Sequence, residues 1–234
     1  MWSVSEIKER GKAAFKANYW KCVIVALIMG LFAGSSGGSA RTAGQNASGS
    51  MDISSVTSGM SSSEQATFAF VAAGTIFVII IISILLKIFL FNPLNIGGCA
   101  FFKENTIEPG ADLDCIGLGF RNYWHNFATL FLRDLYLVLW TMLLIVPGII
   151  KGYSYRMVPY ILADEPDLTP NEAITRSREM MDGNKWQAFL LDLSFIGWIL
   201  LGILTLGLVL VFWTAPYMQS SNAALYLKLS VEEA

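Results

Sequence analysis

Few residues in this chain combine the types and spacing that chemistry needs. Gly34-Ser35-Ser36-Gly37-Gly38 spells the G-x-S-x-G of a serine nucleophile elbow. That motif works on a sharp strand-to-helix turn, and here it opens a low-complexity stretch with no strand before it. Hydrolase chemistry is therefore not expected. His125 is the single histidine, and Cys22, Cys99 and Cys115 show no C-x-x-C spacing. Metal sites want several such ligands converging, so neither a metal nor a cofactor is expected. An odd thiol count suggests no disulfide framework.

The remaining candidates are charges in apolar surroundings: Arg133, Asp134, Arg156 and Asp192. A lone charge in hydrocarbon costs ~2.5–3.5 kcal/mol on insertion scales, so such groups are expected to face inward and pair. Counting at ~1.5 Å per residue from the expected helix ends places all four about 10 Å inside one face. The expected contact is Arg156 with Asp192. Such a layer serves either as a substrate or proton site or as a packing clamp between helices. If the helix carrying them starts later, Arg133 and Asp134 lie at the headgroups instead.

Composition says which elements must position these groups. Of 234 residues, 54% are hydrophobic and 15% charged, and mean hydropathy is +0.53. Soluble domains carry about 25% charged residues, so a purely soluble enzyme is nearly excluded and an integral membrane protein is the first reading. A net charge of −2 supplies no basic face for nucleic acid.

Apolar runs mark the spans: Tyr19–Ala33, Phe68–Phe91, Phe127–Val146, Ile149–Ala163, and two crossings within Trp186–Leu229 turned at Gly202–Gly207. Lys21 and Lys87 must snorkel, Asn92-Pro93 breaks or kinks its helix, and Leu94–Lys103 restarts one. Span three ends at Pro147-Gly148, after a mixed helix over Ile116–Phe131. The expected architecture is all-α: one polytopic membrane bundle over residues 1–234, with six transmembrane helices and four as the alternative. Basic-residue asymmetry decides for six. With the N-terminus inside, 13 of the 16 lysines and arginines collect on the inner side.

Amphipathic helices flank the spans. Residues 1–18 pattern as an interfacial helix capped by Ser3 and Glu6, with Ile7, Gly11, Ala14, Phe15 and Asn18 on one face and lysines on the other. Residues 1–33 also admit a secretory leader. Residues 34–66, rich in Ser, Gly and Ala, are expected to form a flexible external loop. Thr169-Pro170-Asn171-Glu172 reads as a capping box with proline at the first helical position. It opens a cytosolic helix over 169–183 that Gly183 stops, with a Glu172–Arg176 pair along it. Its candidate inner-leaflet residues are Arg176, Arg178, Met180, Met181 and Lys185, and the alternative is a partner-docking face.

Several segments together resemble a known family. They are Asn92-Pro93-Leu94-Asn95-Ile96-Gly97-Gly98, the run from Val146 to Tyr160, Ser177–Gly183 with Phe195-Ile196-Gly197-Trp198, Ala215-Pro216-Tyr217, and Ala223–Tyr226. The chain resembles the bacterial membrane-protein family catalogued as domain of unknown function 975, distantly similar to the membrane domain of some glycerophosphodiester phosphodiesterases. The resemblance implies a polytopic helical membrane protein and brings no agreed activity or catalytic residues. The expected function is non-enzymatic: a scaffold or accessory subunit of a membrane transport or envelope system. The alternative is a small transporter or permease for a lipid or amphiphile. Expected partners are the lipid bilayer and either another membrane protein or a second copy of the chain. The expected place is the cell membrane, with both termini cytosolic.

Overall fold

The computed structural model describes residues 2–32, 61–86 and 91–233. The described residues are all-α, without strands. Eleven α-helices follow in order among them: α1 (Val4–Ala17), α2 (Tyr19–Phe32), α3 (Ser62–Leu86), α4 (Asn92–Ile107), α5 (Tyr123–Leu143), α6 (Ile145–Ser154), α7 (Val158–Asp164), α8 (Pro170–Met180), α9 (Lys185–Leu193), α10 (Ile196–Leu204) and α11 (Ala215–Glu233). A 3-10 segment, Leu113–Phe120, leads into α5, and a π-helical segment, Leu210–Thr214, leads into α11.

The core lies where α1, α2, α4, α7 and α8 surround α11. Phe15, Ile96, Phe101, Phe102, Met157 and Leu225 are buried there. The 3-10 segment lies on α4 backbone to backbone. A methyl group on Gly119 would sit 1.8 Å from the Pro93 carbonyl oxygen, and one on Gly97 would sit 2.1 Å from that of Ile116. Only glycine admits that approach.

Two antiparallel apolar hairpins project from this core. In the first, α5 and α6 meet at Leu144, whose extended backbone makes the joint. Gly148 then lies on Thr141 and Gly152 on Leu137. Pro147 does not end the preceding helix, as its sequence context suggests. It occupies the first turn of α6, where a backbone N–H has no intrahelical partner to lose. The second hairpin joins α10 to the π segment. Gly202, expected in the turn, is instead helical and packs on Leu210. The turn itself falls on Leu206 and Gly207, both at positive φ (53° and 88°).

The π segment has a legible cause. Pro216 has no N–H for the carbonyl of Phe212, and the Tyr19 hydroxyl donates to that carbonyl at 3.1 Å. The α-helical ladder gives way to wider hydrogen bonding at the proline, as π-bulges commonly do.

Other boundaries depart from the sequence reading. The helix expected over Ile116–Phe131 is a 3-10 segment and a separate α5, parted at Asn122, which takes a left-handed conformation (φ 51°). The span expected over Ile149–Ala163 is two helices. Pro159 at the second residue of α7 cannot donate to the preceding turn, and the chain breaks between Ser154 and Val158. The loop expected to run to residue 66 gives way at Ser61. The Ser61 N–H and hydroxyl both donate to Glu64, and α3 starts there. Most of that loop, its G-x-S-x-G match and Lys87 lie outside the described residues.

Among the described residues, one continuous helical stretch, Lys185–Leu204, is long and apolar enough to cross a membrane. Val4–Ala17 with Tyr19–Gly30 qualifies only as a pair, and that pair is bent by 106°. Asn18 holds the bend, donating to Asn105 Oδ1 at 2.9 Å and to the Ala111 carbonyl at 3.1 Å.

The two amphipathic helices bury their apolar faces in the protein rather than leaving them open. Ile7, Gly11, Ala14 and Phe15 of α1 are buried, and α1 packs along α11, tied by a 3.5 Å ion pair between Glu6 and Lys228. Ala173, Ile174, Ser177 and Met180 of α8, with Met181 after it, are buried too, against α5 and α7.

Candidate functional site

Arg156 sits in the break that Pro159 forces between α6 and α7, so its side chain leaves the helix axis toward α9 and α11. Its guanidinium grips Asp192 of α9 with two bonds, Nη1 to Oδ2 at 3.0 Å and Nη2 to Oδ1 at 2.7 Å. Nη2 also donates to Asn222 Oδ1 of α11 at 2.6 Å. The Tyr153 hydroxyl completes the group, donating to Asp192 Oδ2 at 3.0 Å, and its ring lies 5.7 Å from the guanidinium carbon. Bidentate arginine–carboxylate pairs of this kind are among the stronger polar contacts. The side chains of Arg156 and Asp192 are 16% and 23% exposed, so the pair is shielded on most sides.

Arg133 and Asp134 do not join it. Arg133, buried on α5, turns along its own helix, and its Nε and Nη2 both donate to Asp134 Oδ1, at 3.0 and 2.7 Å. The expected layer of four charges is thus two separate pairs.

Two further polar clasps tie the elements together. Lys103 of α4 pairs with Asp164 at the end of α7, and Tyr226 of α11 donates to the second Asp164 oxygen at 2.7 Å. Tyr160 stacks on Tyr226 with ring centres 5.1 Å apart. Asn105, fully buried on α4, donates to the Ala14 carbonyl at 2.9 Å while its Oδ1 accepts from Asn18.

Around α8 the charges are spent locally. The Thr169–Glu172 capping box forms, with Pro170 at the first helical position. Arg176 pairs with Glu165, upstream of the helix. Arg178 is exposed, Lys185 meets Asp182 at 2.9 Å, and Met180 and Met181 are core. Lys185 also holds the Asp182 carboxyl below its usual range by hydrogen bond and charge. The hydroxyl of Thr169 does the same for Glu172, and Lys21, 2.8 Å away, for Asp112.

Chemically, these are joints. Both carboxylate oxygens of Asp192 and both terminal nitrogens of Arg156 are engaged by the protein. His125 Nε2 donates to the Leu168 carbonyl rather than facing a hydroxyl or thiol. Among the described residues no three His, Cys, Asp or Glu side chains converge. Tyr153, Asn222, Lys103, Asp164, Tyr226, Asn18 and Asn105 do not stand out in the sequence. The usable signal is a polar residue within a helix otherwise buried, as Asn222 is between Ser221 and Ala223.

These features define an all-α protein whose apolar hairpins rise from a core pinned by buried polar clasps. The chain belongs to the family of proteins of unknown function DUF975, whose model matches residues 3–233. No curated protein and no solved structure matches it. Nothing in these comparisons carries the more distant likeness to glycerophosphodiester phosphodiesterases.

Proposed function

We propose that this protein is an integral membrane scaffold or accessory subunit, without enzymatic activity. It crosses the cell membrane several times with both termini in the cytosol. The observation that carries the reading is the apolar surface of the two hairpins. Met142 is 83% exposed near the first tip and Leu206 is 96% exposed at the second. Val138, Leu139, Leu143, Leu144 and Val146 are exposed with Met142, as are Leu200, Ile203, Leu204 and Leu208 with Leu206. Monomeric soluble proteins rarely show contiguous apolar patches larger than a few hundred Å². Leu206 adds a conformational argument. A left-handed backbone costs a residue with a Cβ about 1–2 kcal/mol, and Asn or Gly would serve that turn better in water. A leucine there fits a turn that meets the membrane boundary rather than open water.

The six-span topology rests on the arginine and lysine asymmetry, with Lys185–Leu204, 20 residues long, as its best single crossing at about 30 Å. The scaffold reading is preferred to a transporter because Arg156 and Asp192 hold each other and their neighbours, as a clamp does. Alkaline extraction tests membrane integration: the protein should stay with the pelleted membranes, and release into the supernatant refutes it. Purification in mild detergent tests the scaffold role. A stoichiometric partner is expected, and a lone monomer that moves a lipid or amphiphile across vesicles refutes it.

A further inference from the structure

Three apolar helices begin with the same short phrase, an asparagine followed two residues on by a tryptophan. Asn18-Tyr19-Trp20 opens α2, Asn122-Tyr123-Trp124 opens α5, and Asn184-Lys185-Trp186 opens α9. In each the asparagine carbonyl accepts the first helical hydrogen bond, from Cys22 at 3.0 Å, Asn126 at 3.0 Å and Ala188 at 2.9 Å. Each asparagine side chain then bonds to a distant segment of the chain. Asn18 reaches Asn105, Asn122 reaches Asp167 at 3.1 Å, and Asn184 accepts from the Trp2 indole at 2.9 Å. The tryptophan faces outward every time. Trp20, Trp124 and Trp186 are 68%, 70% and 67% exposed, whereas Trp2 is buried.

Each tryptophan heads an exposed apolar stripe at helical spacing. Ile24 and Leu27 follow Trp20, Phe131 and Leu135 follow Trp124, and Phe189 and Leu193 follow Trp186. Each tryptophan is also next in sequence to a polar residue that is itself bonded: Lys21 with Asp112, His125 with the Leu168 carbonyl, and Lys185 with Asp182. An indole flanked by apolar chain and by bonded polar groups suits the headgroup–acyl boundary of a bilayer.

We propose that Trp20, Trp124 and Trp186 form an aromatic belt that fixes the depth of the protein at one membrane interface. The inference rests on the membrane reading above. The basic-residue asymmetry makes this the inner interface, since α2, α5 and α9 then all run outward. The asparagines are positioning residues: each starts its helix and ties it to a distant segment of the chain, so that the indole is held at a set height.

Subtractive quenching tests this in the full chain. Trp20→Phe, Trp124→Phe and Trp186→Phe are made singly and reconstituted in phosphatidylcholine–phosphatidylglycerol vesicles. The vesicles carry bromines either just below the lipid carbonyls or near the acyl-chain ends. The emission lost in each variant is the contribution of that one tryptophan, and the buried Trp2 contact is untouched. All three lost components should be quenched more by the shallow bromines than by the deep ones, and to the same degree as one another. Components that neither bromolipid quenches, in a protein that floats with the vesicles, would show that the rings face water or a protein partner, and would overturn the belt. Unequal depths among the three would overturn it as well. Failure to float with the vesicles would instead refute the membrane reading itself.

Discussion

Removing the Asp192 carboxylate should be the most damaging single change among the buried polar contacts. Asp192→Ala deletes two bonds from Arg156 and one from Tyr153, at 3.0, 2.7 and 3.0 Å, and strands a guanidinium. Breaking one side of a buried pair costs ~3–5 kcal/mol. Arg156 keeps Asn222 at 2.6 Å and the pair is partly exposed, so the low end applies, ~3 kcal/mol. For a chain of this size each kcal/mol moves Tm by ~2–4 °C, giving a fall of roughly 6–12 °C. Thermal unfolding of detergent-purified protein, followed by near-UV circular dichroism, reads this directly. The cycle of Asp192→Ala, Arg156→Ala and the double variant should show a coupling of ~1–3 kcal/mol. The charge swap, Arg156→Asp with Asp192→Arg, should recover part of the folded yield that either reversal loses alone. If Asp192→Ala melts with the parent and the cycle is additive, the clamp has no energetic content.

Other outcomes follow from the same contacts. Gly97→Val should lower stability by ~1–3 kcal/mol or more, measured by the same melt, because its side chain meets the Ile116 carbonyl. The Glu172 carboxyl titrates below its ordinary value of 4.5. Its contribution to the start of α8 is therefore complete above that value and is lost as pH falls through the lower, folded-state value. Amide exchange in the first turn of α8 should accelerate there, and Glu172→Gln, which keeps a capping side chain, should flatten that dependence. Deleting residues 37–60, whose composition offers no core, should leave expression and membrane insertion intact by immunoblot of the membrane fraction, provided that Ser61 remains to cap α3.

The pairing of Arg156 with Asp192 was legible because a charge among apolar residues must find a partner, and helix rise sets which charges share a depth. Its other members were not. Tyr153 lies on α6 and Asn222 on α11, and periodicity does not say that the break at Arg156 brings them to one carboxylate–guanidinium pair. Depth counting does not name the partner, since a long guanidinium can turn along its own helix, as that of Arg133 does to Asp134. Amphipathic patterning found the buried faces of α1 and α8. It could not say what buries them, because lipid and a protein core select the same residues. Pro147 shows a third limit. A proline fits the end of one helix and the first turn of the next, and only the Thr141–Gly148 approach fixes which.

The central claim is that the chain is a membrane protein with both termini inside. Cysteine labelling of intact cells tests it most directly, in a background with Cys22, Cys99 and Cys115 replaced by serine. A membrane-impermeant maleimide should modify Ser50→Cys from outside and should reach Ser230→Cys only after the cells are opened. Labelling of both positions in intact cells, or of neither until lysis, would contradict the account.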